Sequence, residues 1–243
     1  MLFYLVRHGD PIYDPDSLTP LGHEQAKAVA KRLLLYGIDE VYASTSVRAQ
    51  QTAQPLCDLL KKEMTLCDWA NESHAWADLA IPRADGAYTW VFFEKEYVKK
   101  FNSPEVLALG NQWHTHSYFA DSKLKHGLQR INQAVDEFFL TLGYRHDRAR
   151  GCYHADHSLR EKSPNRVAFF AHQGFGLAFL SSVLDIPYPL ICTRFDLSHS
   201  STTAIYFPDE ADGIVFPKIL QLSNDSHLYR EGILTGYHNQ INV

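Results

Sequence analysis

Two apolar runs in this chain end the same way. Leu2 to Val6 runs into Arg7-His8-Gly9, and Arg166 to Ala171 runs into His172-Gln173-Gly174. Short, nearly continuous runs of strand formers read as strands buried on both faces, as in a parallel sheet covered by helices. Such sheets collect ligands at the carboxyl ends of their strands. Arg7 and His8 are therefore delivered where chemistry happens, and Gly9 is expected to let the backbone turn close to a ligand. Arginine offers a planar fork of donors suited to phosphate. Histidine offers a nitrogen that serves as nucleophile, base or metal ligand. Taken alone, the first run equally fits a strand ending in a solvated arginine and an internally satisfied histidine.

The rest of the chain supports the α/β reading. Asp10 to Ser17 is dense in proline and aspartate and reads as a loop. Thr19-Pro20 opens a helix carrying Ala26, Val29, Ala30, Leu33 and Leu34 at helical spacing, with Gly37 as its cap. Glu40 to Ala43 reads as a strand, and a helix with Ala49, Ala53, Leu56 and Leu60 on one face follows Arg48, with Pro55 inside it. Met64 to Cys67 is a candidate third strand. Strand and helix alternating in short order predict βαβ units.

Residues 73 to about 120 break that rhythm and read as an insertion, partly helical, beside or over the carboxyl edge. It is either a lid or binding element or an auxiliary subdomain that enlarges the core. Its aromatic stripe, Tyr88, Trp90, Phe92, Phe93 and Tyr97, fits packing more readily than a substrate platform, although it could bind an apolar leaving group. Residues 121 to 143 have the apolar spacing of one long amphipathic helix. Tyr144 to Asn165 reads as an exposed loop or hairpin, Gly174 to Asp185 as a helix, and Thr203 to Phe207 and Ile214 to Leu222 as closing strands. The expected fold is a single three-layer α/β domain over 1–243, with a mainly parallel central sheet and helices on both faces.

Composition excludes several classes. A formal net charge of −5 argues against a nucleic-acid surface. No apolar run approaches a membrane span, and a strand beginning at residue 2 leaves no room for a leader. Cys57, Cys67, Cys152 and Cys192 are scattered without a CxxC pair, as for free thiols in a reducing compartment, so a cytoplasmic protein is expected. Cys152, His154, Asp156 and His157 cluster in sequence, but their spacing matches no familiar zinc signature, and no metal or cofactor is expected.

If the two histidine-ended strands are neighbours, two imidazoles and the guanidiniums of Arg7 and Arg48 converge on one anion site, with helix N-termini near Ser46 and Gly174 adding donors. In this setting the chain resembles the histidine phosphatase superfamily, with its phosphoglycerate-mutase-like fold. The matching stretches are Arg7-His8-Gly9; Leu18 to Gly22 with Gln25-Ala26; Ala43 to Ala53; Asn71-Glu72; and Phe170 to Gly174. They occur in the family's order and cover the first 72 residues and the region 166–207, leaving the insertion and the tail outside.

The resemblance implies a histidine acid phosphatase-type enzyme. His8 would attack phosphorus as a neutral imidazole and become phosphohistidine. Arg7, Arg48 and His172 would hold the equatorial oxygens, with Gly9 and Gln173 in the substrate site. Glu72 would protonate the leaving alcohol, Asp78, Glu94 and Glu96 being other carboxylates that could do so. The implied partner is a small phosphorylated molecule, with no nucleic acid or membrane; oligomeric state is not legible. The superfamily often has Thr two residues after the glycine and Asn soon after, where this chain has Pro11 and Asp14. A Trp-Asn pair frequent in mutases is absent, which favours hydrolysis over the alternatives of mutase-like phosphotransfer or non-catalytic binding of a phospho-ligand. Ser200, Ser201 and Thr202 either line the site or make turn hydrogen bonds.

Overall fold

In the computed structural model, which describes residues 1–235, a six-stranded sheet forms the centre. Across it run Lys218–Asn224, Thr202–Tyr206, Leu2–Arg7, Arg166–Ala171, Glu40–Ser44 and Met64–Cys67. The last four are mutually parallel, and the first two pair antiparallel. The last eight residues of the expected 1–243 domain lie outside the described residues.

Side-chain alternation explains why both faces need cover. Phe3, Leu5, Val167, Phe169 and Ala171 enter one buried cluster with Ile131, Val135 and Phe139 of the Gln129–Thr141 helix and Phe175 and Phe179 of the Gln173–Leu184 helix. Tyr4, Val6, Ala168 and Phe170 point the other way, onto Val29 and Leu33 of the Pro20–Tyr36 helix and Ala53 and Leu56 of the Val47–Leu60 helix. A period of two along each strand thus feeds two apolar layers. The Pro20–Tyr36 helix is capped as expected: Thr19 accepts from the Gly22 amide, and Gly37 takes the left-handed conformation at φ 66°. The Val47–Leu60 helix runs through Pro55.

The segment expected as an insertion, 73 to about 120, holds most of a helix at Glu72–Leu79, a small hairpin of Ala80–Pro82 with Tyr88–Trp90, and a series of short helical turns. Its Phe101, Val106, Trp113 and Phe119 belong to the same buried cluster as Phe3 and Phe169. This segment is therefore continuous with the main core.

Several expectations are corrected. The helix read over 121–143 begins only at Gln129, because Gly127 at φ 58° ends a 3-10 turn, Lys123–His126, that carries Leu124. The 10–17 loop contains a small hairpin, Pro11–Tyr13 with Asp16–Leu18. The strand read over 214–222 is two strands, Ile214–Val215 and Lys218–Asn224, broken at Pro217, which has no amide to give a ladder. Ile214–Val215 pairs instead with Cys152–Ala155, and that strand with Tyr144–Asp147. This hairpin is not fully exposed, since Tyr144 and Tyr153 are buried.

Phe169 joins Trp69, Phe3, Phe138 and Phe179 in one aromatic stack. Phe169→Ala is expected to cost about 3–5 kcal/mol of unfolding free energy in a urea titration. A cost below about 1 kcal/mol would mean that this stack does not hold the layers together.

Candidate active site

The site is set by strand register. Arg7 pairs with Ala171 across the two central parallel strands, so the residues that follow each strand, His8 and His172, emerge side by side. Their rings lie 5.2 Å apart, and a third imidazole, His199, lies 5.6 Å from His8. Backbone bonds lock the junction: the His8 amide donates to the Ala171 carbonyl at 2.9 Å, and the Ser200 amide to the His8 carbonyl at 3.0 Å. Ser200 and Ser201 thus serve the backbone behind the site, and neither lines the cavity.

That cavity, about 630 Å³, is lined by Arg7, His8, Arg48, Glu72 and Gln173 together with residues of the insertion. His172 is not in its lining; it is fully buried behind His8. Gly9 does not line it either. A Cβ at Gly9 would lie 2.6 Å from the Gly22 carbonyl oxygen, so the glycine lets a helix backbone pack against it. A separate cavity of about 390 Å³ beside Arg148 and Asp185 holds none of the expected residues.

Hydrogen bonds assign the imidazole protons. His8 Nδ1 sits 2.7 Å from the Gly9 carbonyl oxygen. A carbonyl only accepts, so Nδ1 carries the hydrogen and Nε2 keeps its lone pair. Burial, followed by the charges of His172, Arg7, Arg48 and His199, holds His8 well below its usual value of 6.5, so the ring is neutral. His172 is lowered likewise, by burial and then by Arg48 and Arg7. Its Nε2 is 2.8 Å from the Ser44 hydroxyl, while its Nδ1 is buried with no partner among the described residues.

The guanidiniums are held by neighbours the sequence did not announce. Arg7 donates to the Leu197 carbonyl and, from Nη2, to His199 Nε2 at 2.8 Å. An arginine cannot accept, so His199 Nε2 is the acceptor, and its other nitrogen lies 3.5 Å from the Asp10 carboxylate. Arg48 Nη1 meets Asp16 at 2.7 Å, and the other Asp16 oxygen accepts from the Val47 amide at 2.8 Å. Ser46, the N-cap of that helix, makes no side-chain cap, so Asp16 caps it from the neighbouring hairpin. Asp14, the departure noted in the sequence, is exposed on that hairpin.

Glu72 is partly buried at the cavity wall, and its two oxygens accept from the amides of Gly174 (3.0 Å) and Phe175 (2.9 Å). Burial outweighs these bonds and holds its carboxyl above the usual 4.5. The other carboxylates considered lie elsewhere: Asp78 pairs with Arg130, Glu96 with Lys99, and Glu94 heads the Lys95–Phe101 helix. Gln173 donates its side-chain amide to Asp196. Asp16, His199, Tyr13 and Trp76 are site residues that sequence reasoning missed; only the Ser200–Thr202 stretch beside His199 gave any signal.

Of the Cys152 cluster, Asp156 caps the His157–Arg160 helix and neither it nor His157 joins. Asp147 replaces them, its carboxylate lying with Cys152 Sγ and His154 within 4.8 Å of one another.

Known proteins resemble this chain in part of its sequence and in fold. The sequence profile of the histidine phosphatase superfamily, branch 1, matches residues 3–85. The chain is 38% identical over 97 residues to a 2,3-bisphosphoglycerate-dependent phosphoglycerate mutase of Sinorhizobium fredii, covering 34% of this chain and 46% of that protein. It is 46% identical over 68 residues to the mitochondrial serine/threonine-protein phosphatase Pgam5 of Drosophila persimilis, covering 25% and 24%. The matches thus span less than half the length of these curated relatives. In fold, it resembles a phosphoserine phosphatase of Entamoeba histolytica, with a TM-score of 0.58 at 18% identity over 93% of this chain and 98% of that one. The alpha-ribazole phosphatase of Shigella flexneri gives 0.56 at 18% identity over 93% and 97%.

If Asp16 caps the helix and holds Arg48, Asp16→Ala should cost about 1–2 kcal/mol in urea unfolding. Asp16→Asn, which keeps an acceptor for the Val47 amide, should cost about half of that. Equal stability of wild type and Asp16→Ala would exclude the capping role.

Proposed function

We propose that this chain, which resembles the histidine phosphatase superfamily in the sequence of its first third and in fold along most of its length, hydrolyses phosphomonoesters through a phosphohistidine on His8. One observation carries the proposal: a neutral, buried imidazole whose Nδ1 hydrogen is engaged with a carbonyl, so that its Nε2 lone pair is the one left for attack, inside a cavity with two guanidiniums.

In the first half-reaction His8 Nε2 attacks phosphorus as the bond to the ester oxygen breaks, and Glu72 gives its proton to the departing alcohol. In the second, water attacks the phosphoryl group, Glu72 takes the proton, the P–N bond breaks, and neutral His8 and inorganic phosphate are regenerated. A carboxyl lifted by burial suits both duties. Arg7, Arg48 and the Nδ1 of His172 offset charge on the equatorial oxygens; His172 does so from behind the cavity surface. Gln173 helps to shape the site through its bond to Asp196. The insertion acts as a fixed wall more than as a hinged lid, because its core is shared with the sheet. Four unpaired, buried thiols support a reducing, cytoplasmic setting, and among the described residues no helix is long and apolar enough to cross a membrane.

His8→Ala should lower kcat by about 10⁴-fold or more while leaving the thermal midpoint near wild type. Turnover of that variant near wild-type rates would remove the mechanism. The pH profile has a definite sign. Glu72 must be protonated for the first step, so kcat/KM falls as pH rises through its raised pKa. His8 must be neutral, so acid loss appears only well below 6.5. Glu72→Gln should lose about 10²–10⁴-fold in kcat and move the alkaline limb. Because two guanidiniums supply the positive charge and the His172 imidazole a neutral hydrogen-bond donor, EDTA should leave the rate unchanged. Strong inhibition would redirect attention to Asp147, Cys152 and His154.

A further inference from the structure

The phosphoryl group accounts for only part of the cavity. At about 630 Å³ it has the size of a site for a drug-sized ligand, far more than a phosphate needs. The remaining wall is chemically uneven. Among the described lining residues the permanent cations are Arg7 and Arg48, and the phosphatase reading assigns both to the phosphoryl group. Arg48 is already paired with Asp16 at 2.7 Å. Asp16 and Glu72 are the lining carboxylates. A second anionic group on a substrate would find no cation of its own there and would meet Asp16.

Beside the neutral polar groups of Thr45, Ser46, Asn71, Ser73 and Gln173, the rest of the wall carries an aromatic face made by Trp76 and Trp90, with Tyr13 nearby. Trp76, on the Glu72–Leu79 helix, and Trp90, ending the Tyr88–Trp90 strand, meet edge to face with ring centres 5.0 Å apart. Trp90 is fixed: it stacks on Phe92 at 5.5 Å and lies so close to Gly174 that a Cβ there would come within 2.4 Å of its ring. Trp76 keeps 38% of its surface exposed, and Tyr13, on the 11–18 hairpin, keeps 69% while its ring covers the Arg48 guanidinium at 5.4 Å. Exposed indole and phenol lining a cavity is surface a ligand can desolvate.

Resting on the phosphatase reading above, we infer that the preferred substrate is a monoester whose alcohol is uncharged or cationic and carries a planar apolar ring, bound against Trp76 and Trp90. Substrates that bear a second anion, such as phosphoglycerates, are the disfavoured class.

The test compares kcat/KM for 2-phenylethyl phosphate, ethyl phosphate and 3-phosphoglycerate, using wild type, Trp76→Ala, Trp76→Phe and His8→Ala. The two alkyl esters leave as alcohols of nearly equal acidity, so their ratio reads binding of the ring and not leaving-group chemistry. The phenylethyl ester should exceed the ethyl ester by at least about tenfold, the scale of an apolar increment seated in a fitted pocket. It should also exceed 3-phosphoglycerate. Trp76→Ala should reduce the phenylethyl-to-ethyl ratio several-fold, mainly through KM, and Trp76→Phe should restore most of it. A wild-type ratio near one, 3-phosphoglycerate as the best of the three, or a ratio unmoved by Trp76→Ala would overturn this inference and leave the phosphatase reading standing. Hydrolysis of none of the three, or undiminished hydrolysis by His8→Ala, would overturn both.

Discussion

The parallel register between Leu2–Arg7 and Arg166–Ala171 is the constraint on which the rest depends. Each strand is fixed from both faces, so it cannot slip: a shift of one residue would send Phe3 and Phe169 to the opposite helix layer and expose the wrong set. Because the register is pinned by packing far from the cavity, His8 and His172 emerge together without any contact between their side chains having to enforce it. The energy that positions the imidazoles is supplied by the hydrophobic layers beneath them.

The same burial sets their chemistry. Imidazoles at the end of a dry strand, beside two guanidiniums, lose the charged form twice over, through desolvation and through repulsion. An imidazole that stays neutral in an electropositive cavity suits the proposed nucleophile, since the field that suppresses its protonation also attracts an anion. Glu72 answers to the opposite side of that balance. Its carboxylate caps the Gln173–Leu184 helix through the Gly174 and Phe175 amides, yet burial keeps the proton within reach. Two groups with displaced affinities for protons in one cavity is the pattern expected of an acid–base pair.

How much of this was legible follows from the range of the interactions. The buried strands, the Thr19 cap and the helix after Arg48 are written in local pattern, and they place Arg7, His8, Arg48, Glu72 and Gln173 around one cavity. Gly127 was legible in principle, but the apolar spacing of Leu124 and Leu128 outweighed it, and the helix was read too long. The partners that hold the guanidiniums were not legible. Asp16 reaches Arg48 across 32 positions and His199 reaches Arg7 across 192, and neither contact leaves a periodicity behind. Gly9 shows a subtler gap: its need for a missing side chain was recognised, but the obstacle is Gly22, a neighbour only the fold reveals.

Gly174 joins the two halves of the argument. It stands at the start of the helix that Glu72 caps, and it is also where the Trp90 ring approaches closest. Any side chain there would push the indole outward and disturb the carboxylate's amide partners at once. The wall proposed to meet a leaving group and the acid proposed to protonate it therefore share one backbone position, which lies 102 residues along the chain from Glu72. In this chain the 72–126 segment meets the Gln173–Leu184 helix through the Trp90 ring seated on Gly174, and its buried residues join the same cluster as those of the sheet. Specificity built this way is rigid: the aromatic wall is positioned before any substrate arrives, and binding need not organise it.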